Sequence, residues 1–379
     1  MENQDRGKKM YCKLVKIIEV ALRVTKCGKL ISKIAEQFIG KKKAYVNGAR
    51  SKIEQMHHKI EVDCVVKERT WERQCDLQII IPMHNATKYI KQCIDSILLQ
   101  KTKYKYQIIL VDDGSTDDTY ENAKKYLSDE RVQLITQKNA GAAAARNTGL
   151  KHIVADFIMF VDIDDALKPD AIEVLLDKAY QEEAQIVEGG YEIFDTKVLA
   201  KECHENAVLA EPCGVLWGFP WGKIISASLF RNISFPEGYW YEDTIMSYLI
   251  YPRSKKTVTI DKVVYSYRKN PSGFSHISGN NSKILDTYWV MEIMLQDMKK
   301  LDITPCQSIY EQYLKSILTG CKRMMYMEKD IRKATLSMYS EMLCSDWKDY
   351  TTRDKRMKGF EKAVRNNQYH VWKVMVLCL

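Results

Sequence analysis

The sequence has no apolar run long enough to cross a lipid bilayer. A membrane-spanning helix needs about 18 or more consecutive apolar residues, and no stretch of this chain approaches that length. The early apolar positions are interrupted by Lys16, Glu19 and Arg23, so we expect neither a transmembrane helix nor a secretory signal. The expected location is the cytoplasm, with peripheral attachment to the inner face of the cell membrane as the alternative.

Paired cysteines are also missing. The 11 cysteines, from Cys12 to Cys378, are scattered singly and never form a C-x-x-C pair. This spacing argues against a disulfide framework or a zinc site and fits reduced thiols in a cytosolic protein. Internal repeats and low-complexity linkers are absent too. With 46% hydrophobic content over 379 residues, the chain is expected to be globular with a sizeable core.

Two glycine-rich phosphate loops are absent, and each absence excludes a class of enzyme. No G-x-G-x-x-G pattern occurs in the chain, which argues against a dinucleotide-dependent dehydrogenase. No glycine-rich loop follows Pro82 either, which argues against a sugar-nucleotide pyrophosphorylase.

Positive charge is in excess, and it is confined to the N-terminal end. The net charge is +9, and residues 1–50 alone hold 13 Lys or Arg against four Asp or Glu. Apolar residues recur between these cations at helical spacing, at Leu14, Ile17, Ile18, Ala21, Ile31, Ile34, Ala35 and Phe38. The pattern predicts one or two basic amphipathic helices, suited to an anionic membrane surface or to packing on the protein itself. Nucleic acid is not an expected partner, because no binding module accompanies the charge.

The middle of the chain alternates between two patterns. Short apolar runs at 77–82, 106–111, 132–136 and 156–161 alternate with helical patterns at 89–99, 117–127, 141–152 and 170–180. This alternation predicts a mostly parallel α/β sheet with helices on its faces. Ligands of such sheets bind outside the carboxyl ends of the strands, so chemistry is expected in the residues that follow each run.

A segment that contains polar residues follows each predicted strand. These segments are Pro82 to Asn85, Asp112 to Asp117, Lys138 to Gly141 with Arg146 beyond, and the one that carries the carboxylates Asp162, Asp164 and Asp165. Each segment alone is typical of a turn or a helix N-terminus, but four successive strand ends favour one shared site. The three close carboxylates repel one another unless water or a cation screens them, so positive charge is expected there.

These segments resemble the family 2 glycosyltransferases with the GT-A fold. The matching pieces, in the family's order between residues 79 and 244, are IIIPMHNATKYIKQCIDSILLQ, IILVDDGSTDDT, QKNAGAAAARNTGL, FIMFVDIDDALKPDAI and PWGKIISASLFRNISFPEGYWYEDT. The resemblance, which points to the type that builds bacterial surface polysaccharides, implies a GT-A domain over residues 76–279. Residues 1–75 would form a basic helical extension and residues 280–379 a helical C-terminal region.

The resemblance also implies a metal site. In this family a D-x-D motif holds Mn²⁺ or Mg²⁺ on the diphosphate of a nucleotide sugar, and the motif matches Asp162 and Asp164. Alternate residues of an extended segment point the same way, and carboxylate oxygens suit these hard cations. Asp164 is the implied direct ligand, Asp162 reaches the ribose or a metal-bound water, and His276 completes the metal shell.

The nucleotide is expected near the first two strand ends. By resemblance, Asp113 accepts a hydrogen bond from the imide N–H of uracil, beside Asp112. Arg146 is expected to face the diphosphate, since guanidinium matches phosphate geometry. The pocket around base and ribose is expected to be formed by Pro82, His84 and Asn85. His84 departs from the family, which usually has Tyr or Phe there.

Inverting transfer further requires a base that takes the proton from the acceptor hydroxyl. The family places this base in an E-D pair after a P-E-G stretch, which matches Glu242 and Asp243 after residues 236–238. Asp243 is the implied general base, with Glu242 orienting the acceptor or pairing with a cation. Trp221 and Lys223 are acceptor-side candidates, because aromatic faces stack on sugars, although such rings suit a core equally well.

The predicted function is therefore metal-dependent, inverting transfer of a sugar from UDP-hexose or UDP-N-acetylhexosamine to a glycan or lipid-linked acceptor. The alternative is a catalytically inactive nucleotide-binding or membrane-surface scaffold with the same fold. The basic N-terminal segment supports this alternative. The presence of every carboxylate that the chemistry requires argues against it.

Overall fold

The computed structural model describes residues 26–270 and 281–379, and the chain divides into two compact units. The first, called the sheet unit, comprises Glu61–His276 and Glu292–Thr304. The second, called the helical unit, comprises Met1–Ile60, Ile277–Met291 and Pro305–Leu379. The functional division predicted at residues 1–75, 76–279 and 280–379 stays a prediction.

Helices occur in both units. In chain order they are α1 Lys26–Gln37, α2 Ala49–Met56, α3 Ile90–Leu98, α4 Thr119–Lys124, α5 Ala142–Leu150, α6 Ala171–Glu182, α7 Asp286–Lys300, α8 Gln307–Met324, α9 Lys329–Ser345, α10 Lys358–Arg365 and α11 Tyr369–Cys378. The prediction of a helical C-terminal region is confirmed. Part of the segment with the amphipathic pattern, residues 14–38, forms helix α1 as predicted. The part before residue 26 lies outside the described residues.

The strands of the described residues form a single ten-stranded sheet. They are β1 Cys75–Met83, β2 Tyr106–Asp113, β3 Val132–Gln137, β4 Ala155–Phe160, β5 Ala166–Leu167, β6 Ile186–Phe194, β7 Val198–Glu202, β8 Ala207–Leu209, β9 Lys223–Ser226 and β10 Thr257–Arg268. Their order is β3-β2-β1-β4-β9-β6-β10-β5, with β7 beside β6 and β8 beside β10.

Strands β1 to β4 are the four predicted from the apolar runs, and they pair in parallel as predicted. The continuous apolar character of β1, β2 and β4 follows from burial on both faces, with helices between successive strands. Strand β3 lies at the edge of the sheet, and only its first residue is buried. In the register, Ile80 of β1 lies opposite Ile109 on one side and Phe160 on the other, and all three are fully buried. The predicted parallel α/β architecture is therefore confirmed.

Helix α5 packs unusually close to the sheet. A Cβ atom at Gly149 would lie 2.4 Å from the Cγ2 of Ile80, so only glycine permits this approach. Residues 143–145, all alanine, are also buried. Because α5 begins at the carboxyl edge of the sheet, the close packing fixes its first turns beside the ends of β1 and β2.

The remaining strands bring further residues to the same edge. Strand β9 is antiparallel to both β4 and β6, whereas β10 is parallel to β6. The first residue of β9, Lys223, and the last residue of β10, Arg268, therefore lie at the edge where β1 to β4 end. This topology places residues far apart in sequence around one site.

The helical unit is held by buried aromatic side chains and by one central arginine. Trp289 and Trp372 have no exposed surface. The guanidinium of Arg365 donates to Glu361 at 3.0 Å and to the backbone carbonyl oxygen of Leu343 at 2.6 Å. None of the helices that the structure describes is both long enough and apolar enough to span a bilayer.

Candidate active site

Three carboxylates follow β4, and each has a different environment. The Oδ1 of half-buried Asp162 accepts a hydrogen bond of 2.9 Å from Arg146. The Oδ2 of half-buried Asp164 accepts one of 3.2 Å from the side-chain amide of Asn270. Asp165 is buried. The two residues of the predicted D-x-D motif thus keep access to solvent, whereas the third carboxylate belongs to the interior.

Asp165 anchors this acidic loop to β10. Its Oδ2 accepts a hydrogen bond of 2.7 Å from the hydroxyl of Tyr265, and its Oδ1 accepts one of 2.7 Å from the backbone N–H of Arg268. The Nε of Arg268 in turn donates to the backbone carbonyl oxygen of Asp164 at 2.7 Å. Strand β10 therefore holds the loop that carries Asp164 in place.

The electrostatic environment of the loop favours the binding of a cation. Burial raises the pKa of Asp165 well above its ordinary value, and the charges of Asp162 and Asp164 raise it further. Burial and the charge of Asp162 likewise raise the pKa of Asp164. A divalent cation would offset this repulsion, and the oxygen donors suit Mg²⁺ or Mn²⁺.

The described residues do not by themselves complete a metal shell. Among them, no group of three or more His, Cys, Asp or Glu side chains has metal-binding geometry. His276, the third predicted ligand, lies outside the described residues. Magnesium-type sites commonly combine one or two carboxylates with phosphate oxygens and water, so the present donors fit a cation that binds together with a nucleotide.

The loops after β1 and β2 are joined by hydrogen bonds. The Oδ1 of Asn85 accepts a hydrogen bond of 2.8 Å from the backbone N–H of Thr116, and its own N–H donates to the hydroxyl of Ser115 at 3.1 Å. Asn85 has a φ of 49°, a left-handed conformation that asparagine tolerates better than most residues. The exposed His84 ring places Nδ1 3.0 Å from the carbonyl oxygen of Asp113.

The adjacent carboxylates Asp112 and Asp113 differ in what they bind. Asp113 accepts hydrogen bonds from the backbone N–H groups of Ala140 at 2.8 Å and Gly141 at 2.7 Å, and from the amide of Gln137 at 2.8 Å. It therefore secures the N-terminus of α5. Asp112 is also buried, but its Oδ1 has no hydrogen-bond partner among the residues that the structure describes.

Arg146 joins two acidic segments that are far apart in sequence. The Nη2 of Arg146 donates to the Oδ1 of Asp162 at 2.9 Å, and the Nη1 donates to the Oε1 of Glu242 at 2.6 Å. Its side chain is 6% exposed and lies over the ring of Phe235. Burial alone would lower the pKa of Arg146, but the charges of Asp162 and Glu242 outweigh it and raise the pKa above its ordinary value. Arg146 is thus a buried ion-pair partner and not a surface charge.

The next residue, Asn147, holds the P-E-G stretch. Its side-chain amide donates to the backbone carbonyl oxygen of Phe235 and to the Oε1 of Glu237, both at 2.9 Å. Its Oδ1 accepts a hydrogen bond of 2.7 Å from the backbone N–H of Phe235. Helix α5 therefore positions the segment that leads into the predicted E-D pair.

The E-D pair follows a strained backbone position. Tyr241 has a φ of 64°, which is costly for a bulky residue and is typically retained where a functional geometry requires it. Glu242 and Asp243 come next and are both half-buried. The backbone carbonyl oxygen of Asp243 accepts a hydrogen bond of 2.9 Å from the N–H of Met246, which begins the helical turn that follows.

The predicted acceptor residue Lys223 is fully buried. Its ammonium group is paired with Glu188 and donates to the backbone carbonyl oxygen of Trp217 at 2.8 Å and to the hydroxyl of Tyr251 at 2.6 Å. Burial lowers the pKa of Lys223, while the negative charges of Glu188 and Asp243 act in the opposite direction. The predicted base is thus within electrostatic reach of this buried lysine.

Trp221 is part of an aromatic stack. It is buried, and its ring centroid lies 4.2 Å from that of Phe219 and 4.6 Å from that of Tyr265. Tyr267 stacks on it as well. This segment was predicted to form either a sugar-stacking platform or part of the core, and the packing of Trp221 is that of a core residue. Neither Trp221 nor Lys223 offers an open surface to an acceptor in this conformation.

The structure brings the predicted nucleotide, metal and base residues that it describes to one edge of the sheet. They are Pro82, His84, Asn85, Asp112, Asp113, Arg146, Asp162, Asp164, Glu242 and Asp243. The sequence reasoning missed Glu188 and Asn270. Glu188 had a signal, since a carboxylate inside the apolar run of β6 needs a buried partner. Asn270 had none.

Comparison with known sequences assigns the central part of the chain. The profile described as Glycosyl transferase family 2 matches residues 78–240. Glycosyltransferase GlyA of Streptococcus pneumoniae serotype 4 is 30% identical over 53% of this chain and 32% of its own length. Glycosyltransferase GlyG of the same organism is 29% identical over 59% of this chain and 79% of its own length. The chain thus spans about a third of GlyA and most of GlyG.

Solved structures show the same fold. Residues 1–349 of S. aureus TarS align with a TM-score of 0.63 at 17% identity, covering 79% of this chain and 89% of that one. TarS has also been solved in complex with UDP, with a TM-score of 0.61, and with UDP-GlcNAc, with a TM-score of 0.53. The matching profile places residues 78–240 in glycosyl transferase family 2, in agreement with the related glycosyltransferases, and the structural likeness shows the GT-A fold.

Proposed function

We propose that this protein transfers a sugar, with inversion, from a UDP-hexose or UDP-N-acetylhexosamine to a hydroxyl group of a glycan or lipid-linked acceptor. The observation that carries the proposal is the double ion pair of Arg146. It ties Asp162, in the motif expected at the donor diphosphate, to Glu242, which precedes the expected base. Donor and acceptor groups must meet at one point for a direct displacement, and this arrangement is suited to that requirement.

The choice of a uridine nucleotide is supported by the TarS structures with UDP and UDP-GlcNAc. Among the residues that the structure describes, the buried Oδ1 of Asp112 has no hydrogen-bond donor, whereas the oxygens of Asp113 already accept from α5 and Gln137. We therefore assign the hydrogen bond from the uracil imide N–H to Asp112 and an anchoring role to Asp113. His84 and Asn85 line the pocket, with Pro82 in the strand behind them.

A divalent cation is proposed as the cofactor, because burial and the charge of Asp162 disfavour the charged form of Asp164 and the carboxylate oxygens are suitable donors. Asp164 and Asp162 are the residues that would hold it, with His276 as the third ligand. When bound, Mn²⁺ or Mg²⁺ neutralises the negative charge that develops on the departing nucleoside diphosphate. Arg268 keeps the Asp164 backbone in position through its 2.7 Å hydrogen bond.

The transfer step is assigned to Asp243. Its carboxylate accepts the proton of the acceptor hydroxyl while the hydroxyl oxygen bonds to the anomeric carbon. The bond between the anomeric carbon and the diphosphate oxygen breaks in the same step, and the electron pair leaves with the diphosphate. Glu242, held by Arg146, orients the acceptor. Because Lys223 and Trp221 are buried, we assign them an indirect role, shaping the acceptor side through Trp217 and the aromatic stack.

A melting experiment tests the proposal. The melting temperature should rise with UDP more than with GDP, CDP or TDP, and Mn²⁺ should increase the shift, because a ligand selective for the native state stabilises it. A hundredfold excess over Kd corresponds to about 2.7 kcal/mol. Asp164→Ala should remove the effect of Mn²⁺, whereas Asp261→Ala, at an exposed carboxylate of the same unit, should not. A shift with NAD and with none of the nucleoside diphosphates would overturn the proposal.

The effect of Mn²⁺ should depend on pH. Since the pKa of Asp164 is raised, its carboxyl takes up a proton at a higher pH than an ordinary Asp, and the proton competes with the cation. At a Mn²⁺ concentration well below saturation, we expect the Mn²⁺-dependent rise in melting temperature to be complete at pH 7 and lost on acidification before the ordinary value of about 3.9 is reached. Titrating the melting shift from pH 7 to pH 3 measures this. A midpoint at or below the ordinary value contradicts it.

A further inference from the structure

Helix α1 exposes an apolar ridge, formed by Ile31, Ile34 and Phe38. Their exposed fractions are 37%, 46% and 72%. The three positions are spaced three and four residues apart, so they lie on one face of the helix and its immediate end. Single exposed apolar residues are ordinary, but a cluster on one face marks an interaction surface.

The ridge does not face the part of the helical unit that the structure describes. Another side of α1 packs on α11, where the hydroxyl of Ser32 lies 3.1 Å from the Sδ of Met375. The chain after α1 is fixed by hydrogen bonds to the segment after α10. The side-chain amide of Asn367 donates to the backbone carbonyl oxygen of Ala44 at 2.8 Å, and the backbone N–H of Lys43 donates to the carbonyl oxygen of Asn366 at 3.0 Å. These contacts fix the position of the backbone that carries the ridge and the residues after it.

A run of cations lies directly beside the ridge in sequence. Lys41, Lys42 and Lys43 are exposed, as is Lys33 within α1. Residues 26–60 contain nine Lys or Arg and two Asp or Glu, a surplus of seven positive charges. An exposed apolar face next to a strong positive charge is the combination that binds anionic lipid at a membrane interface.

We propose that the α1 ridge and Lys41 to Lys43 dock this protein onto an anionic lipid surface. The ridge enters the headgroup region, and the lysines lie against lipid phosphates. A second copy of the chain is a poorer occupant, because it would bring two segments of surplus positive charge together. Residues 1–25 are also a poorer occupant, since they hold six Lys or Arg against three Asp or Glu. Nucleic acid would use the cations but leave the ridge in water.

The test is sedimentation of the full chain with vesicles, without nucleotide. The protein should bind vesicles of phosphatidylcholine mixed with phosphatidylglycerol and bind phosphatidylcholine alone far more weakly. Replacing Lys41, Lys42 and Lys43 by Gln should weaken binding roughly 100-fold, at about 1 kcal/mol for each lysine. Ile34→Gln with Phe38→Gln should weaken it at least about tenfold. The control is Leu99→Gln, which alters a residue 74% exposed in the sheet unit and should have no effect.

Three outcomes overturn the proposal. Equal binding by the ridge variant and the unmodified protein would show that another segment holds the lipid. A change of oligomeric state in the ridge variant, with vesicle binding unchanged, would show that the ridge contacts a second copy. A lower melting temperature with vesicle binding unchanged would show that the chain itself covers the ridge. None of these readouts depends on nucleotide or sugar transfer, so they do not bear on the proposed function.

Discussion

Replacing Asp243 by asparagine should lower the rate of sugar transfer at least about 1000-fold and leave UDP affinity nearly unchanged. The amide is nearly the same size as the carboxylate but cannot take the proton of the acceptor hydroxyl. The nucleotide, by contrast, is expected at the ends of β1, β2 and β4. The effect should therefore appear in kcat and not in the binding of the donor.

The measurement is a transfer assay together with calorimetric titration of UDP in the presence of Mn²⁺. The control is Asp261→Asn, which changes an exposed carboxylate of the same unit and should keep full activity. Transfer by Asp243→Asn at the unmodified rate would remove Asp243 from the mechanism. Absence of transfer in the unmodified protein with every nucleotide sugar and acceptor tried, despite UDP binding, would favour the inactive scaffold.

Replacing Arg146 by methionine should destabilise the sheet unit by about 3 kcal/mol and also reduce transfer. Methionine keeps much of the packing over Phe235 but removes the counter-charge of Asp162 and Glu242. Both carboxylates are partly exposed, at 30% and 19% of the side chain, so water screens part of the loss. Arg146→Lys should be intermediate, because a single ammonium group cannot reproduce the two-pronged donation.

Urea denaturation of the variants measures this effect. The matched control is Arg73→Met, which breaks ion pairs to Asp76 and Asp156 on a side chain 56% exposed and should cost less than about 1 kcal/mol. Adding Glu242→Gln to Arg146→Met should recover part of the stability, since it removes one of the two uncompensated charges. If Arg146→Met is no less stable than the control, the ion pairs do not hold the two acidic segments together.

Local patterns in the sequence were sufficient to predict the parallel strands at the core of the fold. The apolar runs that became β1, β2 and β4 are buried on both faces, and such strands are recognisable without knowledge of their partners. The polar residues at the strand ends followed from the same reasoning, because parallel strands end at one edge. For this reason Asp112, Asp113, Asp162 and Asp164 could be placed at one site from sequence alone.

Local patterns could not distinguish a core from a binding surface. Trp221 lies in a segment rich in aromatic residues. The sequence of such a segment does not show whether the ring stacks on a sugar or on Phe219 and Tyr265. The sequence likewise does not show that Lys223 is paired. Its partner Glu188 lies on β6, which is brought beside Lys223 by the pairing of β9 with β6. The burial of both residues is a property of strand pairing.

Periodicity and motif spacing are local properties of the chain, and they were enough to predict the family resemblance, the parallel strands and the carboxylates at the strand ends. The use of those charges depends on tertiary contacts. Arg146 reaches Asp162, 16 residues away, and Glu242, 96 residues away, because α5 lies close against the sheet at Gly149. Pairings over such separations depend on the packing of whole elements, which no short window of sequence records.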